Sequence, residues 1–295
     1  MARIGVQAMM LKNSFTEIGA YETLAKVAEI GYRAVEVSQI PMDAKNTAEL
    51  ERARDVLGVE VAALSVNVTA TGGAPVDALD TDFAKIVDDA HRLGTRHLRI
   101  GMLPLPAMAS LEKTLEFART AEGYAQRLQA EGLGLYYHNH HVEFAKVEGR
   151  HLLDHIREVS PTMGLEIDVH WVQRGGLDPV RTLRRYAGQA PMVHLKDYRI
   201  GALPESAFGH LQSGDFPAFM QDFRNVVQFA EVGEGNLDFA EIIPEAVLAG
   251  AEYLLVEQDE LYGRTVWEAL QTSYDNLNTL GFGDLFAAPA QTVGK

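Results

Sequence analysis

Short apolar runs of strand length alternate with amphipathic stretches along the whole chain. The apolar runs are rich in Val, Ile, Leu and aromatic residues and predict eight β-strands, at residues 3–8, 34–38, 61–67, 97–101, 134–140, 163–169, 192–197 and 252–257. Apolar positions three and four residues apart predict a helix after each strand, near 18–30, 46–57, 78–93, 109–131, 150–159, 178–187, 238–249 and 263–280. Cap chemistry such as Asp178-Pro179 supports the helix starts.

Eight β/α units in one chain predict an α/β fold, and they favour a closed (β/α)8 TIM barrel in a single domain. A doubly wound open sheet would normally carry a glycine-rich turn after its first strand, and residues 8–15 contain no glycine. We predict a barrel over 1–282, with an insertion at about 201–230 and a C-terminal tail at 283–295 that we expect to be frayed. The insertion follows strand seven, so it either folds over the barrel mouth or forms a surface excursion.

The chain carries a formal net charge of −15. Nucleic-acid affinity comes mainly from Lys and Arg that neutralise phosphates, so this charge argues against a nucleic-acid partner. Because cysteine is absent, any metal must be held by oxygen and imidazole. The first residues enter a strand directly and no apolar stretch reaches 18 residues, so we expect a cytoplasmic protein without a membrane partner.

Side-chain alternation along the strands predicts which residues enter the barrel. In strand six the apolar Leu165, Ile167 and Val169 suit the helix-facing side, which directs Asp168 inward. The same argument applied to strands five to eight predicts one inward-facing residue per strand that could bind a metal: His138, Asp168, His194 and Glu257. All four lie near the C-terminal ends of their strands, where barrel active sites lie. This donor set suits Mn²⁺, Co²⁺, Zn²⁺, Fe²⁺ or Mg²⁺ without selecting among them.

Two further groups of polar residues share the inward direction. Two residues beyond each candidate ligand come His140, His170, Lys196 and Asp259, which we expect around a substrate. Glu36, Arg99 and Glu166 point inward on strands two, four and six. Alternate strands of such barrels contribute to the same interior layer, and buried charges need partners. We therefore predict a Glu–Arg–Glu network inside the barrel.

Several motifs carry a resemblance to a known family. They are HNHHVEF (138–144), LEIDVHWVQRGG (165–176), VHLKD (193–197), EVGEGNLDF (231–239) and VEQDE (256–260). Together they resemble the sugar phosphate isomerase/epimerase family, the xylose isomerase-like TIM barrels. GYRAVEVS at 31–38 and SYDNLNTLGF at 273–282 extend the resemblance over nearly the whole chain.

The resemblance implies one divalent metal at the barrel mouth, usually held by Glu, Asp, His and Glu from strands five to eight. Asp168, His194 and Glu257 match the last three ligands. Strand five departs from the pattern, because His138 stands in the place of the glutamate and Glu143 follows five residues later. Either of these two residues completes the ligand set.

The resemblance also implies a reaction. The metal would bind a ketose carbonyl and hydroxyl and stabilise an enediolate, which predicts an isomerase or epimerase of a ketose, keto-sugar or keto-inositol. Glu143 and Glu257 resemble the paired glutamates of the epimerases, with His140 and Lys196 as secondary acid/base groups. The substrate-binding residues would be Arg99, His170, Trp171 and Asp259.

Other functions remain open from the sequence. The same enolate could expel a β-hydroxyl, as in an inosose- or dehydroshikimate-type dehydratase. A DNA-repair endonuclease is disfavoured, because Trp171 stands where that branch has a histidine. A non-catalytic sugar-binding barrel is a further alternative. No clear phosphate cradle is evident, since the loop at 233–236 is flanked by acids, so we expect a neutral sugar or polyol partner. Relatives are often dimers or tetramers, so a homo-oligomer is possible.

Overall fold

Eight parallel strands close into a barrel in the computed structural model, which describes residues 2–70 and 76–287. The strands are β1 (Arg3–Gln7), β2 (Ala34–Val37), β3 (Glu60–Ser65), β4 (His97–Ile100), β5 (Gly134–His138), β6 (Gly164–Asp168), β7 (Met192–Leu195) and β8 (Tyr253–Val256). β1 pairs with both β2 and β8, which closes the sheet. The predicted (β/α)8 barrel is thus confirmed.

One main helix follows each strand. These helices are α1 (Ala20–Ile30), α2 (Ala44–Leu57), α3 (Phe83–Leu93), α4 (Leu111–Ala130), α5 (Leu152–Val159), α6 (Pro179–Arg185), α7 (Phe239–Leu248) and α8 (Val266–Thr279). Asp178 caps α6 through the Arg181 N–H, and Thr265 forms a capping box with Glu268 at the start of α8. Because these side chains satisfy backbone donors that have no partner in the helix, they fix where each helix begins.

The hydrophobic core lies between the strands and this ring of helices. Leu165, Ile167, Val193 and Leu195 are fully buried there, as alternation along β6 and β7 predicts. The residues between them in sequence face the barrel interior, so the polar members of each strand are directed to the centre. None of the helices in the described ranges is both long and apolar enough to cross a membrane.

The segment after β7 leaves the barrel. Asp197–Ile200 pairs antiparallel with Val227–Ala230, and two helices, Glu205–Ser213 and Phe216–Arg224, connect this pair. The base of the insertion reaches the barrel mouth, because the Phe229 ring stacks on His170 with 4.9 Å between ring centroids. The connecting helices expose Phe208, Phe216 and Phe223 to solvent.

The predicted C-terminal tail begins with an ordered turn. Gly283–Phe286 forms a 3-10 helix, and Phe286 is buried against Tyr32 and Tyr274. Aromatic packing therefore fixes this turn onto the barrel. The remainder of the predicted tail, from 288 onward, lies outside the described residues.

Candidate active site at the barrel mouth

Four buried side chains converge at the C-terminal end of the barrel. His138 and Asp168 are the last residues of β5 and β6, His194 lies in β7, and Glu257 directly follows β8. Each offers one ligand atom, and the four atoms lie within 4.8 Å of one another. Asp168 and His194 are paired in the sheet register, which aligns their side chains on the same face. We call these four residues the ligand group.

The distances in the ligand group are compatible with a shared divalent ion. His138 Nε2 lies 3.4 Å from Asp168 Oδ2, and His194 Nδ1 lies 3.8 Å from Asp168 Oδ2 and 2.6 Å from Glu257 Oε2. Atoms bonded to one ion at about 2.1 Å are roughly 3 to 3.5 Å apart. The His138–Asp168 pair has this spacing, whereas His194 and Glu257 lie closer together. Among the described residues, none of the four atoms has a hydrogen-bond partner outside the ligand group. Because unpaired buried polar atoms are costly, a cation that satisfies all four fits this site.

The other polar atoms of these side chains are held by the protein. His138 Nδ1 lies 3.1 Å from the Gly101 carbonyl oxygen, and the Trp171 backbone N–H donates to Asp168 Oδ1 at 3.0 Å. Gln7 Nε2 donates to Glu257 Oε1 at 3.4 Å. These contacts turn the remaining atom of each side chain towards the shared centre.

A charged network lies beneath the ligand group. Arg99 Nε lies 3.0 Å from Glu36 Oε1 and 2.7 Å from Glu166 Oε2, which confirms the predicted Glu–Arg–Glu network. His194 Nε2 joins it, 2.9 Å from Glu36 Oε2 and 3.2 Å from Glu166 Oε1. Burial outweighs the Arg99 charge at Glu36 and raises its pKa to about 7. At Glu166 the effect of burial is overcome by His194 and Arg99, which hold its pKa well below the usual value.

A cavity of about 490 Å³ opens beside the ligand group. Of the residues predicted around a substrate, Arg99, His140, Lys196 and Asp259 line it, together with His138 and Glu257. His170 and Trp171 do not line this cavity. They pack against the insertion, where the Trp171 and Phe229 ring centroids are 6.1 Å apart. The position of His170 follows from Asp168, whose carboxylate caps the short helix Val169–Arg174 and so ends the strand alternation.

Lys196 is a positively charged side chain at the wall of this cavity. Its Nζ lies 2.8 Å from Asp259 Oδ2 and 3.5 Å from Glu257 Oε2, and 5.1 Å from the centre of the Trp171 ring. Burial, which favours the neutral amine, is outweighed by Glu257, Asp168 and Asp259, so the pKa of Lys196 rises to about 12. The side chain is therefore an ammonium ion at neutral pH.

His140 is a neutral imidazole facing the same cavity. Burial is the main cause that lowers its pKa, to about 3, and the neighbouring His138 adds to the effect. Within the described part of the chain its Nδ1 has no hydrogen-bond partner. This nitrogen is itself buried, so the ring meets the cavity through its other atoms.

Glu143 is directed away from the ligand group, contrary to its predicted role as a possible ligand and cavity-facing base. Its Oε1 accepts a hydrogen bond from the Tyr137 hydroxyl at 2.6 Å, and its Oε2 accepts one from the His140 backbone N–H at 2.7 Å. Tyr137 lies on the helix-facing side of β5, so it holds the carboxylate there. The structure brings His138 into the ligand group and leaves Glu143 outside it.

The sequence argument missed two supporting residues. Asn139 is fully buried and hydrogen bonds to the backbone of Asp168. Gln7, the last residue of β1, supports Glu257. Each residue is an amide side chain at the C-terminal end of a strand, a feature that is visible in the sequence. Asn139 directly follows the candidate ligand His138, and Gln7 ends the strand that pairs with β8.

Comparisons with known proteins agree with this architecture. The curated inosose dehydratase of Geobacillus kaustophilus (strain HTA426) is 26% identical over 245 residues, covering 77% of this chain and 75% of the relative. A solved sugar phosphate isomerase/epimerase from Parabacteroides distasonis ATCC 8503 superimposes with a TM-score of 0.71 at 17% identity, covering 96% of both chains.

A 3-keto-D-glucoside 4-epimerase from E. coli has a TM-score of 0.63 at 15% identity, covering 95% of this chain and 99% of the other. At such identities these two structures establish the fold alone. Residues 24–271 match the family model described as xylose isomerase-like TIM barrel. That match spans most of the sequence, and the protein therefore belongs to the xylose isomerase-like TIM barrel family.

Proposed function

We propose that the protein is a divalent-metal-dependent isomerase or epimerase of a ketose, keto-sugar or keto-inositol. One observation carries the proposal: four buried ligand atoms without hydrogen-bond partners in the described structure converge beside a cavity. His138, Asp168, His194 and Glu257 would hold the ion, and their imidazole and carboxylate donors accommodate Mn²⁺, Co²⁺, Zn²⁺, Fe²⁺ or Mg²⁺. When bound, the ion would polarise a substrate carbonyl and stabilise the negative charge that follows loss of a neighbouring proton.

The residues of the cavity supply proton transfer and orientation. His140 and Glu257 both line the cavity and are the candidate bases for removing a proton from the substrate carbon. The Lys196 ammonium group can donate a hydrogen bond to a substrate oxygen as negative charge develops there. Asp259 holds this ammonium group in place at 2.8 Å.

Glu143 takes a different role from the one suggested by the paired glutamates of the epimerases. Because its carboxylate is bonded to Tyr137 and to the His140 backbone, it fixes the turn that carries His140. We therefore assign Glu143 as a positioning residue.

Dehydration is the second candidate function. It is favoured by the 26% identity to an inosose dehydratase over 77% of the chain. Proton removal next to the carbonyl is common to both reactions, and the outcome differs only in whether the carbon is reprotonated or a β-hydroxyl leaves as water. In the second case the Lys196 ammonium group would protonate the departing oxygen.

The test is proton exchange in deuterated water with metal-loaded protein and a panel of ketoses, 3-keto-sugars and inososes. We expect solvent deuterium at the carbon next to the carbonyl, detected by NMR. Loss of water with a new enone absorbance would identify a dehydratase. Full activity with retained metal in both His194→Ala and Glu257→Gln would contradict the proposal.

A further inference from the structure

Both polar and apolar side chains line the cavity beside the ligand group. The polar lining includes His140, Lys196 and Glu257, and also Ser65, Asn67 and Thr69 at and after the end of β3. The apolar lining includes six residues in β4 or in the segments that follow β3 and β4, which we call the apolar wall: Val68, Ile100, Met102, Pro104, Leu105 and Phe117. A molecule that fills this cavity therefore meets both polar groups and hydrocarbon.

Two hydrophobic side chains of the apolar wall are exposed to solvent. Leu105 is 73% exposed and Met102 is 47% exposed. Both lie between β4 and α4, where Leu103 and Ala107 are buried and anchor the segment. Pro104 restricts the backbone between them, so the wall is largely formed before a ligand arrives. Preformed apolar surface of this kind in a cleft favours binding of an apolar group.

The charges around the cavity disfavour a phosphorylated ligand. Of the described residues that line it, the cations are Arg99 and Lys196. Arg99 is paired with Glu36 and Glu166, and Lys196 with Asp259. Both cations are already compensated by carboxylates. Residues 71–75, Thr-Gly-Gly-Ala-Pro, carry no charge in sequence. A dianionic phosphate would thus enter the cavity without a free positive side chain to bind it.

We propose that the substrate is a keto-sugar joined to an uncharged apolar group, such as an aryl or alkyl aglycone. The sugar ring would lie against the ligand group and His140, and the aglycone would cover Met102 and Leu105. This inference rests on the proposed function and names the substrate class of the same site. No phosphate is required for binding.

The first experiment compares three substrates that share one 3-keto-hexose: its methyl glycoside, its phenyl glycoside and its 6-phosphate. Proton exchange at low substrate concentration gives kcat/KM for each. We expect the phenyl glycoside to exceed the methyl glycoside about tenfold or more, since burying a group of this size is favourable by roughly that ratio, and the phosphate to be the poorest. Leu105→Ser should reduce the phenyl-to-methyl ratio towards one.

Leu248→Ser is the matched control, because Leu248 is 81% exposed on α7 and does not line the cavity. It should keep the wild-type ratio. Three outcomes would overturn the inference while leaving the proposed reaction intact. They are equal kcat/KM values for the phenyl and methyl glycosides, a phenyl-to-methyl ratio unchanged in Leu105→Ser, and a preference for the phosphate.

The second experiment measures binding without turnover. Phenyl glucoside and methyl glucoside, which lack the ketone, are titrated into the protein by calorimetry. We expect tighter binding of phenyl glucoside and a loss of that difference in both Met102→Ser and Leu105→Ser. If no keto-sugar undergoes proton exchange but phenyl glucoside still binds more tightly than methyl glucoside, the proposed reaction is wrong and the site for the apolar aglycone is supported. Equal binding of the two glucosides would reject the site.

Discussion

The side-chain amide of Asn139 hydrogen bonds twice to the backbone of Asp168. Its Oδ1 accepts from the Asp168 N–H at 3.1 Å, and its Nδ2 donates to the Asp168 carbonyl oxygen at 3.4 Å. Asn139 directly follows His138, so this amide joins the ends of β5 and β6 where each contributes a residue to the ligand group. The amide thereby ties together two strand ends whose His138 Nε2 and Asp168 Oδ2 atoms lie 3.4 Å apart.

Asn139→Leu tests this connection, because leucine has a similar size and neither donates nor accepts a hydrogen bond. The change removes both side-chain hydrogen bonds to the backbone of Asp168. We expect a loss of about 1–3 kcal/mol in the free energy of unfolding and metal affinity weakened by about 10- to 100-fold. Denaturant unfolding and Mn²⁺ titration measure the two effects. Asn225→Leu is the control, since Asn225 is exposed on the insertion and should change stability by less than about 0.5 kcal/mol. Unchanged metal affinity in Asn139→Leu would show that the amide does not organise the site.

The fourth ligand can be identified with a matched pair of variants. His138→Ala removes an atom of the ligand group, whereas Glu143→Gln alters a carboxylate held by Tyr137 and the His140 N–H. We expect His138→Ala to weaken Mn²⁺ binding at least tenfold and Glu143→Gln to change it less than about twofold, with proton exchange lowered in both. Equilibrium dialysis of folded protein gives the affinities. The reverse order of affinities would return Glu143 to the ligand set.

Metal removal should lower thermal stability as well as activity. The four ligand atoms are buried without hydrogen-bond partners in the described structure, so the ion satisfies them only in the folded state. At a free metal concentration of 100 times Kd, binding stabilises a protein by about 2.7 kcal/mol, which should raise the melting temperature by several degrees relative to protein treated with a chelator. Calorimetry with and without Mn²⁺ measures the shift. Glu257→Gln should reduce it, and a wild-type melting temperature that does not respond to any of the five ions would argue against a metal site.

Side-chain alternation explains why so much of the site could be predicted. A strand has a period of two, so apolar Leu165 and Ile167 on one face fix the direction of Asp168 on the other. Alternation no longer predicts side-chain direction beyond the end of a strand. His170 was expected in the cavity, yet the helix capped by Asp168 turns it towards Phe229.

The remaining features depend on contacts between distant segments. Glu143 lies in a turn whose direction is set by its bonds to Tyr137 and to the His140 N–H. The exposure of Leu105 depends on how the segment after β4 packs on the barrel. Neither contact has a periodic signal in the sequence, and so neither could be predicted from alternation.

Glu122 provides a test of stability against pH at a site remote from the mouth. Its Oε2 accepts hydrogen bonds from the backbone N–H groups of Thr162 and Met163 at 3.0 and 3.3 Å, which ties α4 to the segment before β6. Burial raises the pKa of Glu122, but hydrogen bonds from Thr162 and Gln126 outweigh it, so the net pKa is lowered. A carboxylate whose pKa is lower in the folded state stabilises the protein above its unfolded-state pKa, and this contribution is lost as the pH falls through the folded-state value.

Glu122→Gln should therefore cost about 1 kcal/mol of unfolding free energy at pH 7, and the difference from wild type should shrink as the pH falls below about 4.5. Denaturant unfolding across that pH range measures the difference. Glu116→Gln, at an exposed position of the same helix, supplies the control and should show a small difference throughout. The explanation fails if the Glu122→Gln difference is constant or grows at low pH, because the hydrogen bonds from Thr162 and Met163 favour the ionised carboxylate that acid removes.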